Sequence, residues 1–273
     1  MPETEVLDAP ATQTGTLPDA TVLQNTPRLG LDSQLSFRCH PGMDCFGRCC
    51  HDVSILLTPY DVLRLKKALG KDSAEFMDRY TSVMYSADKQ VPVVFLKMDT
   101  ESLACPFLDA KGCNVYGHRP WACRMYPLGM AEPATADADA RRFFFVVKEE
   151  LCHGHECAEP RTVRDFIDSQ GVEPYEMSQS SFRGLLAAAA ERKEPLTDRE
   201  CAMYYMALYD LDRFRRFVFD SSFLQHFEVA EERLETLRTD DDELLELAVD
   251  WLAFSLYRQR RMKLKARKDA LSS

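Results

Sequence analysis

Basic residues are the minority charge in this chain. There are 34 Lys and Arg against 44 Asp and Glu, for a formal charge of −10. That balance supplies no general phosphate-neutralising surface, so nucleic-acid binding is not expected. No apolar run approaches the ~20 residues of a bilayer-spanning helix; "GLLAAAA" at 184–190 comes nearest. The opening "MPETEVLDAP" lacks the basic and apolar regions of a secretory signal. G-x-G is absent throughout, which argues against a Rossmann-type nucleotide or methyl-donor site. P-loop, H-E-x-x-H and G-x-S-x-G patterns are missing as well. So is C-x₂-C, which weakens both a thioredoxin-like pair and a zinc knuckle.

What the chain does have is cysteine, in one place. Its 10 cysteines in 273 residues fall well below the density of a disulfide scaffold. Yet "CHPGMDCFGRCCH", residues 39–51, holds Cys39, Cys45, Cys49 and Cys50. Clustered thiols without a disulfide framework imply a reducing, cytoplasmic setting and read first as metal-binding or catalytic.

Composition divides the chain into three parts. Residues 1–34, with few large apolar side chains and several prolines, are expected to be a flexible leader. Residues 35–182 form a cysteine-cluster metal-binding domain, and 183–273 a helical region. The fold class is α+β: a core of cysteine-rich loops and short strands with a mainly helical C-terminal region. Thr58, Pro59 and Gly70 are the start and stop signals of a helix whose buried stripe is Val62, Leu63, Leu65 and Leu69. A second helix is expected over 73–80, and strands within 91–98 and 141–150. Residues 101–130 show no helical periodicity and read as loops. Further helices are expected near 178–192, 197–218, 222–238 and 241–268, with a capping box from Thr197 to Glu200. Met203, Met206, Leu211, Phe214, Phe217 and Val218 form a stripe that reads as core. The basic run "RQRRMKLKARK" at 258–268 reads as the solvated end of the last helix.

Cys39, Cys45, Cys49, Cys50, Cys105, Cys113, Cys123 and Cys152 all lie outside the helical region and are the candidate metal and cofactor ligands. A metal centre would tie together loops that have little core of their own. Thiolates suit Zn²⁺ or iron–sulfur clusters, whereas hard cations prefer oxygen. Two consecutive cysteines wrap a single tetrahedral ion poorly. Cys49 and Cys50 are therefore expected to face different irons, unless only one of them is a ligand. A radical adenosylmethionine site would need C-x₃-C-x₂-C, and the position after Cys45 and Cys49 that would complete it is Asp52. Cys157 reads as a spare thiol and Cys201 as a buried small hydrophobe. His40, His51, His118, His153 and His155 crowd the cysteines, and each is more readily a hydrogen-bonding neighbour than a ligand. Arg119 and Arg124 flank Cys123 and would ease its ionisation unless surface carboxylates claim them. Tyr116 and Tyr126 read as wall.

"FRCHPGMDCFGRCC", "LTPYDVLRL", "CPFL…GCNVYGHRPWACRMYPLG" and the C-x-G at Cys152 occur in this order. Together they resemble the YkgJ-type cysteine-cluster family, also called CxxCxxCC, over residues 35–182. The resemblance implies a zinc- or iron-chelating or iron–sulfur domain. One branch of that family, the flagellin lysine N-methylases, links it to methyl transfer involving a [4Fe–4S] cluster. This chain departs from the family spacing by carrying "HPGMD" between Cys39 and Cys45. The expected function is therefore an iron–sulfur protein in electron transfer or cluster-assisted group transfer, working with an unidentified protein or redox partner. A structural zinc interaction module is the alternative.

Overall fold

The computed structural model describes residues 26–85, 91–131, 142–156 and 159–265. Among them are ten α-helices and several small antiparallel sheets. The fold is α+β with a helical C-terminal region.

Strand β1 (Gln34–Leu35) opens the described fold, preceded by Leu29, whose backbone bridges Phe144. After the cysteine turns, β2 (Leu56–Leu57) leads into helix α1 (Pro59–Leu69). The entry is a full capping box. Thr58 Oγ1 accepts from the Asp61 amide at 3.1 Å, and Asp61 accepts from the Thr58 amide at 2.8 Å. At the exit Gly70 adopts φ 62°, a left-handed conformation that costs other residues strain. Helix α2 (Ser73–Tyr80) follows and turns directly into β3 (Thr81–Tyr85), an element without a sequence signal. Strand β4 (Pro92–Leu96) lies between β2 and β3, with Val94 opposite both Leu57 and Val83.

The stretch 101–130 is more structured than its lack of periodicity suggests. It holds the short hairpin β5 (Leu108–Asp109) and β6 (Gly112–Cys113), helix α3 (Trp121–Met125) and strand β7 (Leu128–Ala131). Strand β8 (Phe143–Val146) pairs with β7, and β9 (Arg161–Thr162) pairs with β1. Helices α4 (Val163–Gln170) and α5 (Glu173–Glu191) follow, and residue 182 lies within α5.

The expected helix over 197–218 is two helices, α6 (Asp198–Tyr209) and α7 (Leu211–Asp220). Asp210 breaks the run with φ −107° and ψ 64°, and its carboxylate accepts from the Arg213 amide to start α7. The 222–238 stretch likewise divides into α8 (Phe223–His226) and α9 (Glu231–Thr239). The last helix, α10 (Asp241–Tyr257), ends eleven residues before the expected 268 because Arg258 turns left-handed at φ 55°. Over its described residues, 258–265, the basic run thus lies beyond the last helix. Its described part returns along 226–228, with the Glu228 amide donating to Lys263 at 2.9 Å and the Lys265 amide to His226 at 2.8 Å.

Two hydrophobic cores result. The larger joins α1 and α2 to the C-terminal helices through Val62, Leu63, Phe76, Tyr204, Phe214 and Trp251. Leu211 and Val218 of the expected stripe are buried in it, and Met203, Met206 and Phe217 pack at its edge. The smaller gathers Leu35, Phe37, Met125, Phe144, Val163 and Phe166. Lys66, only 5% exposed, crosses the larger core's rim to Asp212 at 3.0 Å and Asp241 at 3.1 Å, tying α1 to α7 and α10.

Candidate metal centre

The first four cysteines ride on a succession of tight turns. Amide-to-carbonyl bonds run from Met43 to His40, Phe46 to Met43, Arg48 to Cys45 and Cys50 to Gly47, all at 3.0–3.1 Å. Gly47 at φ 81° supplies the one left-handed step, which starts a single 3₁₀ turn over Arg48–Cys50. Cys45 is buried and Cys39 exposed; Cys49 and Cys50 are half-buried.

Two later segments close on this turn from different sides. On one side the Cys105 amide donates to the Cys50 carbonyl at 2.8 Å, and Ala104 bridges His51. The Leu108 amide then donates to Cys105 at 3.0 Å, and the β5–β6 hairpin sets Leu108 opposite Cys113. Cys123 sits on α3, whose first amide, Trp121, donates to the fully buried Asp61 at 2.8 Å. On the other side the Arg38 amide donates to Gly154 at 2.9 Å, and the His153 amide donates to Cys45 Sγ at 3.4 Å. Those bonds bring Cys152 toward Cys39 and Cys45.

The thiols also influence one another electrostatically. Burial pushes Cys39 up, and the charges of Cys49, Cys45 and Cys152 push it further, against a lowering pull from Arg119. The neighbouring Cys50 thiol outweighs burial and lowers Cys49 to about 7. Cys49 in turn, followed by burial and by the charges of Cys105 and Cys123, drives Cys50 upward. Burial raises Cys105, and Cys113 adds to that. Burial lifts Cys123 to about 12, with Cys105, Asp61 and Cys113 adding to the rise. Cys39 thus responds to Cys45, Cys49 and Cys152, and Cys50 to Cys49, Cys105 and Cys123, so the two sets share Cys49. Cys201 is buried in α6, apart from both, and Cys157 lies outside the described residues.

The two arginines differ. Arg124, 8% exposed, spends its guanidinium on the carbonyls of Arg119, Gln170 and Gly117 at 2.6–3.0 Å and lies over the Tyr175 ring. It braces the loop. Arg119, 9% exposed, stacks 3.9 Å from the Tyr116 ring centre and bonds the Tyr116 carbonyl and Gln170. Burial raises Cys39, Cys113 and Cys123, and the Arg119 charge offsets part of that rise. Neither guanidinium pairs with a carboxylate among the described residues. Buried cations beside thiols favour an anionic occupant, as a thiolate-ligated metal centre is.

Several neighbours carry more than the sequence suggests. Asp44, Cys45 and His153 are, among the described residues, the one trio of His, Cys, Asp or Glu whose ligand atoms lie within 4.8 Å of one another. His153 Nδ1 is 2.8 Å from Asp44 Oδ1. Asp44 escapes sequence reading because its partner is 109 positions away. Tyr126, expected as wall, donates to Glu149 at 3.3 Å; burial, then Cys152 and Glu149, push its hydroxyl well up. His51 meets the Gly47 carbonyl at 3.1 Å, His40 the Gly42 amide at 3.2 Å and His118 an Arg64 nitrogen at 3.2 Å.

Compared with known proteins, residues 38–181 match the CxxCxxCC family model, described as "Putative zinc- or iron-chelating domain". No curated protein and no solved structure matched the chain.

Proposed function

The chain belongs to the CxxCxxCC zinc- or iron-chelating family, whose model spans more than half of it, and from that premise we propose that it is an iron–sulfur protein of the [4Fe–4S] type. Metal binding comes with the family; the choice of cluster over a zinc ion is our reading. The supporting observation is the spacing of the sulfurs. A single Zn²⁺ with ~2.3 Å bonds draws its thiolates to within about 4 Å of one another. No three of the eight thiols lie within 4.8 Å of one another among the described residues. That counts against one zinc ion held by these thiols, and an all-thiol donor set suits iron–sulfur chemistry.

Cys39, Cys45, Cys49, Cys50, Cys105, Cys113, Cys123 and Cys152 would supply the ligands. When bound, such a cluster supplies one-electron chemistry, which fits electron transfer or cluster-assisted group transfer. The protein's part is to fix the turn at Gly47, to hold Cys123 through the Asp61–Trp121 bond and to set the Arg119 charge beside the sulfurs. A redox partner protein is implied by electron transfer. Among the described residues no helix is long and apolar enough to cross a membrane.

The Asp44, Cys45 and His153 trio favours a second reading, in which a zinc ion takes mixed ligands and the protein is an interaction module. Anaerobic purification followed by iron, zinc and labile-sulfide analysis separates the two. Iron with matching sulfide supports the cluster, and a colourless zinc-loaded chain without iron defeats it.

A further inference from the structure

We infer that the eight thiols build two separate four-cysteine centres, one from Cys39, Cys45, Cys49 and Cys152 and the other from Cys50, Cys105, Cys113 and Cys123. The inference rests on the metal-binding reading and adds the number of centres and the ligands of each.

Backbone geometry divides Cys39, Cys45 and Cys152 from Cys50, Cys105 and Cys113, and Cys49 and Cys123 join the groups whose thiols their charges raise, Cys39 and Cys50. The second group is closed by the Cys105-to-Cys50 amide bond at 2.8 Å, the Leu108-to-Cys105 bond at 3.0 Å and the pairing of Leu108 with Cys113. The first is closed by the Arg38-to-Gly154 bond at 2.9 Å and the His153 amide on Cys45 Sγ at 3.4 Å. Each group also has its own support. Cys105, Cys113 and Cys123 pack against the large core that includes the C-terminal helices. Cys152 packs against the small core of Leu35, Phe37 and Phe166.

The adjacent cysteines then have a reason to be adjacent. One tetrahedral ion accommodates consecutive residues poorly, whereas two centres on either side of a turn can each take one. The ~3.8 Å between consecutive Cα atoms sets the two centres side by side, joined through one peptide. Electrons could pass between them without a further carrier.

Metal counting on the full chain tests the division. After anaerobic reconstitution with iron and sulfide, the unaltered protein is expected to hold about eight irons. Cys152→Ala and Cys113→Ala should each halve the content, the double variant should abolish it, and Cys201→Ala should leave it unchanged. About four irons in the unaltered chain overturns the inference, as does total loss in both single variants. The unaltered stoichiometry decides even if a variant fails to fold. Should the chain bind zinc and refuse iron, the cluster reading fails, yet two zinc ions per chain, halved by each variant, still support two centres and one zinc overturns them. A chain that takes up no metal overturns both.

Discussion

The amide of His153 donates to the sulfur of Cys45 at 3.4 Å, joining two loops 108 positions apart in sequence. One residue further on, Gly154 makes that approach possible. A Cβ there would lie 2.6 Å from the Phe37 ring and 2.8 Å from the Arg38 carbonyl oxygen. Gly154→Ala must therefore push the two segments apart, at a cost of about 1–3 kcal/mol. Denaturant unfolding should register the loss of stability, and metal analysis a lower content from the Cys39, Cys45, Cys49 and Cys152 group.

Lys66 is predicted to matter more to stability than its surface-type chemistry suggests. Its ammonium bonds Asp212 and Asp241, and Arg215 bonds the same two carboxylates. Removing one member of a buried network leaves charges uncompensated. Lys66→Ala should cost about 3 kcal/mol, read as a lower urea midpoint. Lys67→Ala, at a side chain 43% exposed, should cost less than about 1 kcal/mol.

The same carboxylates set an acid limit. Burial alone would raise Asp212, but hydrogen bonds from Ser73 and Lys66 outweigh it and hold the group below its ordinary value. Burial likewise opposes Arg215 and Lys66 at Asp241, and they prevail. A carboxyl depressed in the folded state binds its proton more readily when unfolded. Its stabilisation is thus complete above the unfolded value of about 3.9 and is lost as pH falls through the lower folded value. Stability should decline below about pH 4. Asp241→Asn should reduce that slope while lowering stability at neutral pH, which urea titrations at several pH values would follow.

Arg119 and Arg124 should part company on substitution. Arg119→Met removes positive charge beside the thiols, so the reduced, more negative form of a bound cluster loses stabilisation and the midpoint potential shifts negative. Arg124→Met instead leaves three carbonyls without their donor and should lower the unfolding midpoint with little change in potential. Redox titration and thermal unfolding of both variants check the contrast.

Local signals in the sequence were enough for α1 and α2. Thr58, Pro59 and Gly70 act within one turn of the helix ends, and 73–80 is helical residue for residue. The same holds for the box from Thr197 to Glu200. Breaks that depend on tertiary packing were not legible. Asp210 and Arg258 carry no glycine or proline signal, yet each ends a helix. Strand β3 exists because Val94 lies opposite Val83, and α3 is too short at five residues to show a period. At the candidate centre the residue types were readable as donors. Their grouping was not, because it depends on pairings such as Cys50 with Cys105 and Cys45 with His153 that join distant loops. The carboxylates of Asp44 and Asp61 were missed for the same reason. The leader expected over 1–34 lies mostly outside the described residues, although Leu29 and Gln34 pair with Phe144 and Thr162.

The central claim is that these thiols hold an iron–sulfur centre. Low-temperature electron paramagnetic resonance of the anaerobically isolated, dithionite-reduced chain tests it most directly. The account predicts a signal of a reduced cluster that weakens in Cys123→Ala and persists in Cys201→Ala. A spectrum without any such signal, from a folded chain that carries zinc, would contradict it.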